Sequence, residues 1–242
     1  MIAECRLEER LIYTICGLLE GIEHIATGMA SPIPAGAALL RRELSGASVR
    51  VSVLASRRLH AFTDGGSEIF DLAAQGRIGA FFLSGGQIDG QGNVNLVGVG
   101  EYPRMDVRWS GSFGSSFLYY LIPKVILFRL EHTVRTLVER VDFVSAPGSS
   151  DPDLYRPGGP YALITNRCLF MYDQTKRCFT LASLHPGESI ESVTENTGFE
   201  FDRPDIVSTT TAPPADVLRL IRTKVAALLQ DPYPKFAAEV FG

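Results

Sequence analysis

Ser84-Gly85-Gly86-Gln87-Ile88-Asp89-Gly90-Gln91-Gly92-Asn93-Val94-Asn95 follows directly on the apolar run Ile78-Gly79-Ala80-Phe81-Phe82-Leu83. The apolar run has the length and composition of a buried strand. A strand opening into a Gly- and Asn-rich loop is how α/β proteins build sites at the carboxyl ends of their strands. Glycines let backbone approach a ligand closely, and the amides of Gln87, Asn93 and Asn95 supply directional donors and acceptors. Read without a ligand, the same residues describe a tight hairpin with Gly and Asn at left-handed positions.

Outward from this loop, helix and strand patterns alternate. Glu4 to Leu19 carries Leu7, Leu11, Ile12, Ile15, Leu18 and Leu19 at helical spacing. Gly21 to Ala26 reads as a strand ending in a turn-rich stretch. Pro34 to Arg42 reads as a helix with Pro near its first turn. Val49 to Leu54 is a second strand, and Glu68 to Arg77 a helix leading into the strand before the loop. Repeated β-α alternation predicts an α/β fold, an open and mostly parallel sheet with helices on both faces. The second half is richer in strands: Lys124 to Leu130, Arg140 to Val144, Tyr161 to Thr165, Cys168 to Tyr172 and Cys178 to Ala182. Asp216 to Leu229 is an amphipathic final helix. Ser149 to Pro160 has the composition of a mobile surface loop. No repeat or linker interrupts residues 1–242, so one domain is expected.

Composition narrows the function classes. The 242 residues hold 23 Lys and Arg against 27 Asp and Glu, a formal net charge of −4, which leaves no basic footprint for nucleic acid. The longest apolar runs are too short to span a bilayer, and Met1 opens no signal-peptide pattern, so a cytoplasmic protein is expected. Cys5, Cys16, Cys168 and Cys178 show no metal-ligand spacing. They read as buried or half-buried thiols, with a Cys168–Cys178 cross-strand bridge as the alternative. No metal site is expected.

Five segments in order carry a resemblance: Gly86–Asn95; Gly111-Ser112-Phe113-Gly114-Ser115-Ser116; Val141-Asp142-Phe143-Val144-Ser145-Ala146-Pro147-Gly148; Leu184-His185-Pro186-Gly187; and Glu195-Asn196-Thr197-Gly198-Phe199. Together the chain resembles the β subunits of family I CoA-transferases, of the glutaconate CoA-transferase type, over roughly Gly21 to Ile221. The resemblance implies a heteromer (dimer or tetramer) with an α-type subunit. A coenzyme A thioester is then a substrate, with no permanently bound cofactor. It also implies a covalent route in which a glutamate at the end of the second strand attacks the thioester.

This sequence departs from that pattern at the nucleophile. The matching stretch is Val51-Ser52-Val53-Leu54-Ala55-Ser56, with Leu54 at the glutamate position, and no Asp, Glu or Cys occurs from Gly46 to Ala61. Leucine has no lone pair and forms no anhydride. Ser52 and Ser56 are neighbours, but a serine needs a base beside it to act as a nucleophile. His60 lies four residues beyond Ser56. Glu68 is the nearest downstream carboxylate, and an acid at a helix start is explained by the helix dipole alone.

The glycine loop departs as well. In the family such a run presents N–H groups to the thioester oxygen, as an oxyanion hole does. Gly111, Ser112 and Gly114 remain here, Phe113 replaces a glycine, and Ser116 replaces an asparagine. Phe113 either narrows the pocket or covers an apolar substrate, or is a plain core or interface aromatic. Gly85, Gly86, Gln87, Asp89, Asn93 and Asn95 form a substrate or interface loop, with Asp89 read chiefly as a cap on the turn's amides. Trp109 is a candidate pocket wall. His185 reads as a turn residue, His24 and His132 as structural, and Arg129, Arg135 and Arg140 as either a basic edge for phosphates or solvated charges.

The expected function is that of a β-type chain acting on an acyl-CoA together with an α-type one. Without the glutamate it is expected to be re-purposed, decarboxylating or hydrolysing a carboxylated acyl-CoA. The alternatives are conventional CoA transfer with the nucleophile elsewhere, and a non-catalytic acyl-CoA-binding or scaffold subunit.

Overall fold

The computed structural model describes residues 4–60, 62 and 66–242. The chain divides into two compact units, Met1–Phe82 with Thr211–Gly242, and Leu83–Thr210.

The first unit begins with helix α1 (Leu7–Leu18). Leu11, Ile12, Ile15 and Cys16 form its buried stripe, and Glu9 accepts the Arg6 N–H at 2.8 Å to close its amino end. Strand β1 (His24–Thr27) follows, then α2 (Pro32–Leu44), whose Pro32 takes the first-turn position that lacks a hydrogen-bonding duty. A Cβ at Gly36 would lie 2.8 Å from Ile12 Cδ1, so the missing side chain there is what lets α1 and α2 pack closely. Strand β2 (Arg50–Val53), helix α3 (Ser67–Ala74) and strand β3 (Ala80–Leu83) complete this half of the unit. β1 is central and runs parallel to both β2 and β3, with Ile25 opposite Val51 on one side and Ala80 on the other. Every residue of β1 and β3 is buried, as strands covered on both faces must be.

The second unit opens with two short hairpins, β4 (Gln87–Ile88) with β5 (Val94–Asn95) and β6 (Gly98–Val99) with β7 (Val107–Arg108). Helix α4 (Ser115–Leu121) leads into β8 (Lys124–Phe128). β9 (Pro160–Ile164), β10 (Cys168–Asp173), β11 (Cys178–Leu184), α5 (Ile190–Glu195) and β12 (Ser208–Thr209) follow. The strands lie in the order β12-β11-β10-β9-β8. β8 and β9 are parallel, β9-β10 and β10-β11 antiparallel, and β11-β12 parallel. Phe170, Phe179, Phe199 and Phe201 cluster ring to ring as this unit's aromatic core. The chain then returns to the first unit as α6 (Ala215–Leu220), a π-helical turn (Ile221–Val225), α7 (Ala226–Leu229) and α8 (Pro234–Phe241).

The fold class is therefore α/β with a mixed, mostly parallel sheet, as the alternation predicts. Two local expectations differ, the Arg140–Val144 strand and the final helix. Arg140 to Val144 is not a strand, because loop side chains take the amides that a strand partner would use. Val141 N–H donates to Asp89 and Asp142 N–H to Gln87. The final helix is interrupted by the π turn, and α8 extends the chain's helical end beyond Leu229. Cys168 and Cys178 are free thiols, as expected. They pair across the hairpin with Leu184 and Asp173, so the register places them at opposite ends of β10 and β11. Among the described residues no helix is long and apolar enough to cross a membrane.

Candidate functional site

The loop that follows β3 is built from its own polar side chains. Asp89 Oδ1 accepts the N–H groups of Gln91 and Asn93 at 3.1 and 3.0 Å, and its Oδ2 accepts Asn93 Nδ2 at 3.1 Å. Gln87 Oε1 accepts Asn95 Nδ2 at 2.8 Å. Asn95 Oδ1 in turn accepts Val97 N–H at 2.9 Å. Asn93 Oδ1 accepts Gly148 N–H at 3.0 Å. These amides and the carboxylate thus tie the hairpin to residues 141–148 and hold it in one geometry.

Gly85 and Gly86 join β3 to β4, and Gly86 N–H closes the hairpin on Asn95 O at 2.9 Å. Gly86 has a steric duty. A Cβ there would fall 2.0 Å from the Trp109 ring, so the indole lies flat against this glycine. That contact joins the loop after β3 to the segment that precedes Gly111. Asp89 and Gly90 also line an open groove of about 1550 Å³, together with Arg140, Arg177, Phe199 and Arg203. Its lining mixes charged side chains with the Phe199 and Phe201 rings, a composition that suits a ligand with charged and apolar parts.

The glycine loop bends through two left-handed residues, Gly111 at φ +96° and Phe113 at φ +45°, before Gly114 starts α4. Positive-φ residues at positions 111 and 113 turn the chain sharply just before the helix. Ser112 O accepts Ser115 N–H at 2.8 Å and fixes the turn. Ser116 lies inside the first turn of α4.

Leu54, Ser52, Ser56 and Glu68 belong to the first unit. Leu54 is the residue after β2, half-buried, with its N–H on Thr27 O at 3.1 Å. The chain turns back at once, Ser56 N–H donating to Val53 O and Val53 N–H to Leu59 O. Ser52 is fully buried, and its Oγ lies 2.9 Å from His24 Nε2. His24 Nδ1 meets the Arg77 carbonyl at 3.1 Å. A carbonyl only accepts, so Nδ1 carries the proton, Nε2 is bare, and Ser52 O–H donates to it. Burial, then the charges of Arg50 and Arg77, hold His24 below its ordinary pKa and keep it a neutral acceptor. Ser52 thus has a base beside it, yet no exposure to a substrate.

Ser56 is not paired with His60. Its O–H donates to Asp231, while its Oγ accepts the N–H groups of Arg58 and Leu59 at 3.1 and 2.8 Å. Asp231 also accepts Arg57 N–H at 3.0 Å. His60 stacks edge-on against Phe62 at 5.5 Å. Glu68 lies in the first turn of α3, where its charge offsets the helix dipole. The partners His24 and Asp231 are separated from the serines by 28 and 175 residues, so no local motif announces either contact.

The remaining histidines hold buried networks in the second unit. His132 bridges Thr165 and Thr197 at 2.8 and 2.9 Å. Burial, then the Arg167 charge, push its pKa down to about 4. His185, at the end of β11, meets Thr165 O at 3.0 Å and Thr210 Oγ1 at 2.9 Å. Arg129 and Arg135 both pair with Glu131, whereas Arg140 lines the groove. Among the described residues no group of His, Cys, Asp and Glu is arranged to hold a metal ion.

Residues 24–196 match the family model described as "Coenzyme A transferase". A curated relative, the β subunit of glutaconate CoA-transferase from Acidaminococcus fermentans, is 32% identical over 151 residues, 60% of this chain and 56% of that protein. A second, the IpdB chain of the cholesterol ring-cleaving hydrolase from Rhodococcus jostii, is 30% identical over 159 residues, 64% of this chain and 62% of that protein. The chain thus matches less than two thirds of the length of either. The crystal structure of the decarboxylase AibA/AibB superposes with a TM-score of 0.79 at 20% identity, covering 99% of this chain and 100% of that one, which shows a shared fold.

Proposed function

This chain belongs to the coenzyme A transferase family, and on that premise we propose that residues 1–242 act as one β-type module with an α-type partner on an acyl-CoA thioester. The reaction we assign does not pass through a glutamyl-CoA on this chain. The observation that carries this reading is Leu54, the half-buried residue directly after β2, which we equate with the family's nucleophilic glutamate. The absence of any Asp, Glu or Cys from Gly46 to Ala61 supports it, since a shift of register by a residue or two restores no carboxylate.

The chemistry that remains is decarboxylation or hydrolytic opening of a carboxylated acyl-CoA. In decarboxylation the carbon–carbon bond to the leaving CO₂ breaks, and its electron pair passes into the thioester carbonyl. The resulting enolate oxygen needs N–H donors, and the run Gly111–Gly114 is the part of this chain we assign to supply them. A proton from solvent then closes the sequence at carbon. One relative is named a transferase and another a hydrolase, and a decarboxylase shares the fold, so this scaffold is compatible with more than one outcome. Coenzyme A enters as substrate rather than resident cofactor, and a cytoplasmic location fits that supply.

Mass spectrometry of the purified complex after incubation with carboxylated acyl-CoAs tests the proposal. Loss of CO₂, or water addition, without a covalent adduct is the expected result. A glutamyl-CoA adduct on either chain would restore conventional transfer, with Glu68 or the partner as its source. No turnover and no binding would leave a scaffold role.

A further inference from the structure

A second groove lies at the amino ends of the first unit's parallel strands. It has a volume of about 570 Å³, the size of a small-molecule site. Its lining includes Arg41 near the carboxyl end of α2, Arg50 at the start of β2, and Arg77 in the turn between α3 and β3. Glu23 is the one carboxylate among the described residues of that lining. None of the three guanidiniums takes part in a hydrogen bond or ion pair among the described residues. The Nε–H of Arg41 is buried with no acceptor. A cation near a helix carboxyl end is favoured by the dipole, but that leaves the unmet Nε–H unexplained.

His24, at the start of β1, is the buried wall of the groove rather than a ligand. Its Nδ1–H donates to Arg77 O and its Nε2 accepts Ser52 O–H, so neither nitrogen has a hydrogen bond to spare. Burial first, then the Arg50 and Arg77 charges, lower its pKa, so the positive field of the groove reaches the strand beneath it. The groove is separate from the turn that carries Leu54. β2 runs from Arg50 to Val53, which puts Leu54 at the opposite end of the strand, about 13 Å away at about 3.3 Å per residue. The reaction assigned above makes no use of three cations at that end.

An anion answers these features together, since it offsets the gathered charge and gives the Arg41 Nε–H an acceptor. A carboxylate has two oxygens and is filled by one guanidinium fork, whereas a phosphoryl group offers three oxygens to donors arriving from several elements. We propose that this groove is a second ligand site, which holds the phosphoryl group of a small molecule on Arg41, Arg50 and Arg77. The site stands apart from the acyl-CoA reading and does not depend on it.

The test is isothermal titration calorimetry at low salt, with pyrophosphate as the probe and the 1–242 chain measured alone and together with its α-type partner. One pyrophosphate is expected to bind per chain. Arg50→Gln and Arg77→Gln, both at exposed positions, should each weaken it about tenfold or more, because each removes charge-assisted hydrogen bonds. Lys235→Gln removes one positive charge from an exposed position of α8 outside the lining, and should change the affinity by less than about twofold. Pyrophosphate should bind equally well with and without saturating free CoA. Absence of binding by the wild type overturns the proposal. So does equal weakening by all three variants, which would mark a diffuse attraction to surface charge. Competition from free CoA would make the phosphate in the groove CoA's own and overturn the assignment of a second ligand. Binding by the lone chain that the α-type partner abolishes would make the groove an interface, and overturns the proposal as well.

Discussion

At the scale of single residues, the contacts that matter most are those in which one atom more or less changes the outcome. Gly86 is the sharpest case, because a methyl group there would overlap the Trp109 ring at 2.0 Å. Trp109 is the chain's one tryptophan, so tryptophan emission reports the surroundings of this ring. Gly86→Ala is expected to shift the emission to the red as the indole is displaced toward water. The accompanying loss of stability should be about 1–3 kcal/mol, the usual range for overpacking. Unchanged emission would show that the loop yields elsewhere and that the contact is not what joins the two segments. His132 offers a second test. Its imidazole titrates near 6.5 when unfolded and is pushed down to about 4 when folded, so the unfolded chain binds more protons between those values and stability falls as pH drops. From about pH 7 to pH 4 the loss from this group is on the order of 3 kcal/mol. Urea titrations at pH 7 and pH 5 should already differ, and His132→Asn should flatten the difference.

At the scale of elements, the turn after β2 depends on a residue far away in sequence. Asp231 accepts Ser56 O–H and the N–H groups of Arg57 and Arg58, so one carboxylate organises the turn that carries Leu54. Tyr233, two residues on, donates to Gly28 O at 3.0 Å and so holds the turn after β1. Asp231→Ala is expected to raise amide hydrogen exchange at Arg57 and Arg58 while β2 itself stays protected. Equal protection in the variant would mean that the turn is held by Val53 and Leu59 alone. This contact also shows what the sequence makes legible. The parallel strands of the first unit follow from apolar runs between turn residues, and the family follows from five ordered segments. The hairpin at Gln87–Asn95 is readable because Gly, Asn and Asp state their own backbone demands. Arg140–Val144 misleads because it has a strand's composition while its amides are taken by Asp89 and Gln87 from fifty residues away. The His24–Ser52 and Ser56–Asp231 pairs are invisible for the same reason. Side chains meeting across a sheet or from a distant turn leave no periodic trace.

At the scale of the whole molecule, the first unit is assembled from both ends of the chain. Leu218, Ile221, Val225 and Leu229 from the carboxyl-terminal helices are buried, as are Ala237 and Val240. Leu229 Cδ1 would lie 3.4 Å from a Cβ at Gly36, against the face where α1 and α2 meet. Arg222 donates to the buried Glu9 through Nη2 at 2.9 Å, and Arg6 to the carbonyl of Val240. The family match ends at residue 196, before the carboxyl-terminal helices begin. Removing Thr211–Gly242 would expose the facing surfaces of α1 and α2 and leave Glu9 a buried carboxylate without its guanidinium. The apolar burial lost is worth on the order of 10 kcal/mol, comparable to the entire stability of an ordinary domain. A chain ending at Thr210 is therefore expected to lose hydrogen-exchange protection throughout β1 and α1. The β10–β11 hairpin, which belongs to the other unit and draws its core from Phe170, Phe179 and Phe199, should remain protected. Loss of protection in both places at once would show that the units do not fold separately. Retention in β1 would show that the terminal helices are an addition to a core already complete without them.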